Sequence, residues 1–140
     1  MKKIAITGGH LTPALAVIEE LQRRGWFISY IGRKHAAEGD PALSQEIRII
    51  TQKKIPFYSF TTGRLQRSFT RFTIPSLFKV PIGFLQGLYI IGCLKPDVVL
   101  SFGGYVGVPI VFAAWLWRIP VIIHEQTFSP GLANRIIAHF

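Results

Sequence analysis

Three polar clusters in the sequence combine residue types that can do chemistry. The first is Thr7-Gly8-Gly9-His10. Paired glycines let a backbone approach a ligand closely, and an imidazole with an ordinary pKa of about 6.5 suits general-base work near neutral pH. The second is Gly103-Gly104-Tyr105, another glycine pair leading into a phenol. The third is His124-Glu125-Gln126-Thr127, an imidazole beside a carboxylate, an amide and a hydroxyl. Taken singly, the first two fit tight turns beside a structural histidine or a packed aromatic equally well. The third follows the apolar run Val121-Ile122-Ile123, and a polar cluster in that position rarely serves packing.

An alternation of strands and helices must position these clusters. Lys3 to Thr7 is a short apolar run stopped by the first glycine pair, which reads as a buried strand. Thr12-Pro13 supplies an N-cap and a first-turn proline, Leu15, Val17, Ile18 and Leu21 follow at helical spacing, and Gly25 closes the helix. Trp26 to Ile31 predicts a second strand, Ser44 to Thr51 a short helix, and Ile55 to Phe60 a third strand. Pro75 to Leu94 is long and apolar and predicts a helix over most of its length. Asp97 to Phe102 predicts a fourth strand, Val106 to Arg118 a helix, Pro120 to His124 a fifth strand, and Pro130 onward another helix. Near-continuously apolar strands alternating with helices mark a parallel sheet covered on both faces. The expected fold class is therefore α/β, a Rossmann-like doubly wound parallel sheet, as one domain over residues 1–140.

In such sheets ligands sit beyond the carboxyl ends of the strands, where all of the clusters lie. A helix after the first glycine pair would aim the positive end of its dipole there, favouring a phosphate or a developing negative charge. The sequence stops at Phe140 within the last helical stretch, so a further strand or two is expected, and with it a fragment.

At 49% hydrophobic residues the chain can bury a substantial core, and a single cysteine leaves no internal disulfide. Cys93 lies in an apolar run and is expected to be a small buried hydrophobe. The apolar stretch at the amino terminus is too short for a signal peptide, which points to a cytosolic protein. The formal charge of +9 calls for an anionic partner. It is unevenly spread, for no Asp or Glu occurs from Ile47 to Pro96, where Arg48, Lys53, Lys54 and Lys95 flank a basic, aromatic segment. That segment offers Arg64, Arg67, Phe69, Arg71, Phe72, Leu77, Phe78, Lys79 and Phe84.

Stacking on nucleic acid would need only the arginines and aromatics. The added Ile74, Leu77, Val80, Ile82 and Leu85 suit lipid better, so an anionic membrane surface is the expected partner and nucleic acid is not. Each basic residue near such a surface contributes about 1 kcal/mol. Val80 to Leu94 is about 15 residues and contains Gln86, short of the roughly 20 that a span requires. A core helix with an amphipathic lead-in is expected there.

Other chemistries fit poorly. A dinucleotide fold of the NAD type wants Gly-x-Gly-x-x-Gly after the first strand and an acidic residue after the second. Here the corresponding residues are Gly8-Gly9-His10-Leu11-Thr12-Pro13 and Gly32-Arg33-Lys34, which leaves only NADP conceivable, through Arg33 and Lys34. Tyr30 and Lys34 have the spacing of a reductase pair but span a strand and its turn. There is no phosphate-binding Gly-x-x-x-x-Gly-Lys loop and no Gly-x-Ser-x-Gly elbow around Ser101 or Ser129. His10, His35, His124 and His139 lack ligand spacing, so no metal is expected.

The order of motifs adds a resemblance. Thr-Gly-Gly-His and Pro-Ala-Leu-Ala occur within Thr7 to Ala16, Lys-Pro-Asp-Val-Val at Lys95 to Val99, and Gly-Gly-Tyr-Val at Gly103 to Val106. Ile-Pro-Val, His-Glu-Gln and Gly-Leu-x-Asn follow between Ile119 and Asn134. Over essentially the whole chain this resembles the MurG-type glycosyltransferases of family 28. The resemblance implies the N-terminal domain of a two-domain GT-B enzyme whose active site lies in the cleft. It implies transfer of N-acetylglucosamine from UDP-GlcNAc, a donor substrate with no further cofactor, to a polyprenyl-pyrophosphate-linked muramyl-pentapeptide in peptidoglycan synthesis. The chain would be the acceptor-binding half, peripheral on the cytoplasmic face of the plasma membrane and inactive without a donor-binding C-terminal domain in cis or in trans.

Matched by motif, His10 is implied as the base for the acceptor hydroxyl, and Thr7, Gly8 and Gly9 as the loop at the acceptor pyrophosphate or the donor. Gly103, Gly104, Tyr105, His124, Glu125, Thr127 and Asn134 are implied as further substrate-binding residues. The sequence departs from the family pattern in a shorter first glycine loop, in Thr127 where the family has Asn, and in Gly107-Val108-Pro109 for Ser-Gly-Pro. These departures bear on the acceptor's identity more than on the transferase class. The alternative role is a non-catalytic membrane-anchoring subunit that recruits a separate donor-binding chain.

Overall fold

The innermost strand is buried along almost its whole length. Ile4, Ala5, Ile6 and Thr7 are all buried in β1 (Lys3–Thr7), because β1 has a parallel neighbour on each side and helices over both faces. The computed structural model describes residues 1–35, 42–61 and 73–140, and only the backbone of residues 73–79. β1 pairs in parallel with β2 (Phe27–Gly32) and with β4 (Val98–Ser101). Outside these lie β3 (Phe57–Ser59), parallel to β2, and β5 (Val121–Ile123), parallel to β4, giving the order β3-β2-β1-β4-β5. The expected doubly wound α/β sheet is what forms. The order reverses between β1 and β4, so their carboxyl ends diverge into loops that leave a crevice.

Side-chain alternation sorts two cores. Ile4, Ile6, Ile28, Tyr30, Leu100 and Phe102 face Ala14 and Ile18 of α1 (Leu11–Arg23) and Ile50 of α2 (Gln45–Gln52). On the opposite face Ala5, Ile31 and Val99 meet Ile90 and Ile91 of α3 (Thr73–Leu94) and Ile110, Ala113 and Ala114 of α4 (Gly107–Leu116). The last helix, α5 (Leu132–Ile137), packs on α4.

Several boundaries differ from expectation. α1 begins at Leu11 with His10 in the N-cap position, not at Thr12. Pro13 then lies in the first turn, where an N–H has no helical partner to lose. β3 is shorter than Ile55 to Phe60, and α3 starts before Pro75 and tolerates Pro81 inside it. α5 closes at Ile137 with Ala138 as its C-cap, so the sequence does not stop within a helix. Cys93 is exposed, not buried, because it shares the outward face of α3 with Tyr89, while Ile90 and Ile91 take the inward one.

Each helix that leads into a strand ends on a left-handed residue: Gly25 (φ 71°), Lys54 (58°), Lys95 (44°) and Arg118 (55°). After α1, α2 and α4 the next residue donates its N–H back five positions, Trp26 to Leu21, Ile55 to Ile50 and Ile119 to Ala114, at 2.8 to 3.2 Å. These are Schellman closures, with an apolar residue just beyond the turn. Only Gly25 adopts the conformation without a Cβ penalty of about 1–2 kcal/mol. Replacing Arg118 with glycine should therefore raise the urea midpoint, through a gain in unfolding free energy of up to about 1 kcal/mol once glycine's greater unfolded freedom is subtracted. A lower midpoint would mean that the arginine side chain outweighs its backbone strain.

Candidate functional site

The site grows from the contact between the carboxyl ends of β1 and β4. Phe102 donates its N–H to the Thr7 carbonyl at 2.8 Å, and Gly9 donates to the Gly103 carbonyl at 3.2 Å, so the two glycine loops are stitched together. Gly8 has φ 133°, and a Cβ there would lie 2.7 Å from the Phe102 backbone nitrogen. Gly103 has φ 78°, and a Cβ there would lie 2.7 Å from Asn134 Oδ1. Neither position has room for a side chain. Tyr30, buried under the first loop, donates its hydroxyl proton to the Gly8 carbonyl at 3.3 Å, and burial raises its pKa.

Thr7 and Ser101 pair across the ends of β1 and β4. Ser101 Oγ accepts the Gly103 N–H at 3.3 Å, while Thr7 Oγ1 is buried with no hydrogen-bond partner among the described residues.

The third cluster joins from β5. His124 donates its N–H to the Ser101 carbonyl at 2.8 Å, and its ring lies 5.1 Å from that of Phe102. Glu125 is held from several sides. It accepts from the Thr127 hydroxyl at 2.6 Å, the Thr127 N–H at 3.0 Å, Asn134 Nδ2 at 2.7 Å and the Gly131 N–H at 3.3 Å. Led by the Thr127 hydroxyl, these donors lower its pKa to about 2. Glu125 is thus a fixed anion that organises the loop between β5 and α5, and Thr127 is turned onto it. Asn134, buried on α5, extends the network to the wall of the second glycine loop, and its Oδ1 has no hydrogen-bond partner among the described residues.

His10 does not cap α1 with its side chain. Its Nδ1 lies 2.9 Å from Gln126 Nε2, which bridges the first cluster to the third. Gln126 is the residue of the third cluster to which sequence reasoning gave no role of its own. The signal available was its place between Glu125 and Thr127, but nothing local shows which way an amide points. The structure therefore gathers Thr7, Gly8, Gly9, His10, Gly103, Gly104, His124, Glu125, Thr127 and Asn134 at the carboxyl ends of β1, β4 and β5.

Tyr105 sits further along the same rim, with the Arg33 guanidinium 5.2 Å from its ring centre. Behind Arg33, its own N–H reaches Glu46 Oε2 at 3.3 Å, and burial raises the pKa of that carboxylate against the pull of Arg33.

Of the basic, aromatic segment, Arg64, Arg67, Phe69, Arg71 and Phe72 lie outside the described residues. Leu77, Phe78 and Lys79 are described only as backbone of α3. Phe84 is half buried, edge-on to Phe112 with ring centres 5.1 Å apart. Among the described residues no helix is long and apolar enough to cross a membrane, and no group of three or more His, Cys, Asp or Glu is placed to hold a metal ion.

Relatives share this arrangement of sequence and fold. Residues 7–140 match the N-terminal domain of glycosyltransferase family 28. The whole chain is 44% identical to a Bacillus cereus protein named UDP-N-acetylglucosamine--N-acetylmuramyl-(pentapeptide) pyrophosphoryl-undecaprenol N-acetylglucosamine transferase 2, of which it spans 39%. A Legionella pneumophila protein named as the same transferase is 41% identical over 93% of the chain, which spans 34% of it. Among solved structures, Acinetobacter baumannii MurG superposes with a TM-score of 0.78 at 30% identity, over 99% of this chain and 39% of that one. A UDP-GlcNAc 2-epimerase from Neisseria meningitidis, at 18% identity and a TM-score of 0.61, shares the fold.

The Glu125 network makes a prediction about acid. A carboxylate depressed to about 2 contributes stability that is fully present above its ordinary value of 4.5 and is lost as pH falls between the two. Urea denaturation followed from pH 5 to pH 2 should show that loss in the wild type, and a smaller one in Glu125→Gln. Parallel curves would mean that the network contributes nothing to folding.

Proposed function

The chain belongs to glycosyltransferase family 28, and on that premise we propose that it is the acceptor-binding half of an N-acetylglucosaminyltransferase of peptidoglycan synthesis. UDP-GlcNAc would be the donor and a polyprenyl-pyrophosphate-linked muramyl-pentapeptide the acceptor. The observation that carries this reading is the convergence of His10, the two glycine loops and the Glu125–Asn134 network on one rim. A donor-binding domain, in cis or in trans, supplies the opposite wall.

The chemistry follows from the parts. His10 Nε2 takes the proton of the acceptor hydroxyl as that oxygen bonds to the anomeric carbon. The bond from that carbon to the β-phosphate oxygen breaks, and UDP leaves with the electron pair. The open backbone at Gly9, with nothing within 4 Å of where a Cβ would stand, lies beside the positive end of the 13-residue helix α1 and suits a pyrophosphate. Glu125 acts as scaffold and takes no proton: an acid that titrates near 2 stays ionised throughout. Substituting His10 with alanine, with the donor domain present, should lower kcat by roughly a hundredfold or more, the contribution of a positioned base. Near wild-type turnover would remove His10 from that role.

Exposed apolar side chains support contact with a membrane. Leu85 (68% exposed) and Tyr89 (73%) stand on α3, and Trp115 (49%) and Trp117 (52%) at the end of α4. Helix α3 packs directly on α4, and the end of α4 comes so close that a Cβ on Gly92 would lie 2.9 Å from the Trp117 ring. Patches of large apolar side chains on a soluble surface mark binding sites, and tryptophan and tyrosine favour the lipid–water boundary. Flotation with anionic liposomes should recover the chain, and Leu85→Ser should weaken partitioning by about tenfold, the effect of one apolar side chain left in water. Unchanged flotation would place the contact elsewhere.

A further inference from the structure

The contact between His10 and Gln126 raises a question about which ring nitrogen holds the proton. Gln126 Nε2 lies 2.9 Å from His10 Nδ1 and can only donate, so Nδ1 accepts through its lone pair. A neutral imidazole with a bare Nδ1 carries its hydrogen on Nε2. In that tautomer the outward nitrogen is a donor, and it cannot take a proton from a hydroxyl. A half-turn of the Gln126 amide brings Oε1 to the same place, where it accepts a hydrogen from Nδ1 and leaves the Nε2 lone pair bare.

The amide and the ring are therefore coupled, and only one pairing serves a base. We propose that Gln126 is a positioning residue that selects the tautomer of His10, its amide turning so that Oε1 receives Nδ1–H when the acceptor is deprotonated. The same orientation suits the imidazolium that forms when the proton arrives on Nε2, because both ring nitrogens then carry hydrogen and Oε1 still accepts from Nδ1. Held as in the structure, His10 presents an N–H, ready to donate to a phosphate oxygen or to the acceptor itself.

Three features make the pairing specific. Gln126 belongs to the loop after β5 and His10 to the loop after β1, so the contact spans 116 residues of sequence and forms only in the folded domain. The residue before Gln126, Glu125, is fixed by Thr127, Gly131 and Asn134, which anchors the backbone from which the amide reaches. The His10 backbone is set as the N-cap of α1, and its ring makes no cap bond there, which leaves it for Gln126.

The proposal rests on His10 as base, and the test separates the two. Ring-15N NMR of the chain, at a pH where His10 is neutral, reports the tautomer with no need for activity. The wild type should show the Nε2–H form, and Gln126→Glu, whose carboxylate only accepts, should convert it to the Nδ1–H form. With the donor domain present, Gln126→Leu should lower kcat roughly tenfold at unchanged KM, a fraction of what a general base contributes. Gln126→Glu should restore it. Ring nitrogens that ignore residue 126, or an equal loss of kcat in both variants, would overturn the proposal. If the nitrogens follow residue 126 while His10→Ala keeps full turnover, the tautomer control stands and the base reading fails.

Discussion

The approach of β1 to β4 at their carboxyl ends governs the rest of the site. Two backbone bonds, Phe102 to Thr7 and Gly9 to Gly103, hold the loops so close that side chains are excluded at Gly8 and Gly103. That exclusion lets Asn134 press against the second loop from α5, and Asn134 in turn holds Glu125. Glu125 orders the turn that presents Gln126, and Gln126 meets His10. A sheet in the order β3-β2-β1-β4-β5 puts its switch point between β1 and β4, so the crevice and this close backbone packing coincide.

The charges divide by role. Glu125 is surrounded by donors and stays ionised, which suits a scaffold that must not titrate. Glu46 is buried with one backbone donor and a neighbouring guanidinium, and its carboxylate resists ionisation. It lies behind Arg33, which the Tyr105 ring meets from the other side. The two acids show the opposing pulls on a carboxylate: burial leads the rise at Glu46, and hydrogen-bond donors lead the fall at Glu125.

Much of the fold was legible in the sequence. Apolar strands ending in glycine or polar clusters pointed to a parallel α/β sheet, and among the described residues the five strands, five helices and their order are those expected. The misses have local causes. Lys54, Lys95 and Arg118 close helices in a conformation that side chains disfavour, so no glycine announced those ends. Thr12-Pro13 looks like a helix start, yet packing of Leu11 against the core carries α1 back to His10. Cys93 lies in an apolar run, but a helix packed on one side leaves some of its apolar residues outside.

For the site the division is sharper. Residue types and their spacing in sequence were enough to name His10, the glycine pairs and Glu125, because strand-end positions follow from the alternation of elements, whereas Asn134 was named only through the family resemblance. Membership of family 28 was likewise legible from motif order. What only the tertiary structure decided is which of these groups touch: that Glu125 spends its oxygens on Thr127, Gly131 and Asn134, and that Gln126 answers His10 across the crevice. Hydrogen bonds between loops more than a hundred residues apart leave no periodicity behind. They exist only once the sheet has brought the ends of β1, β4 and β5 to one edge.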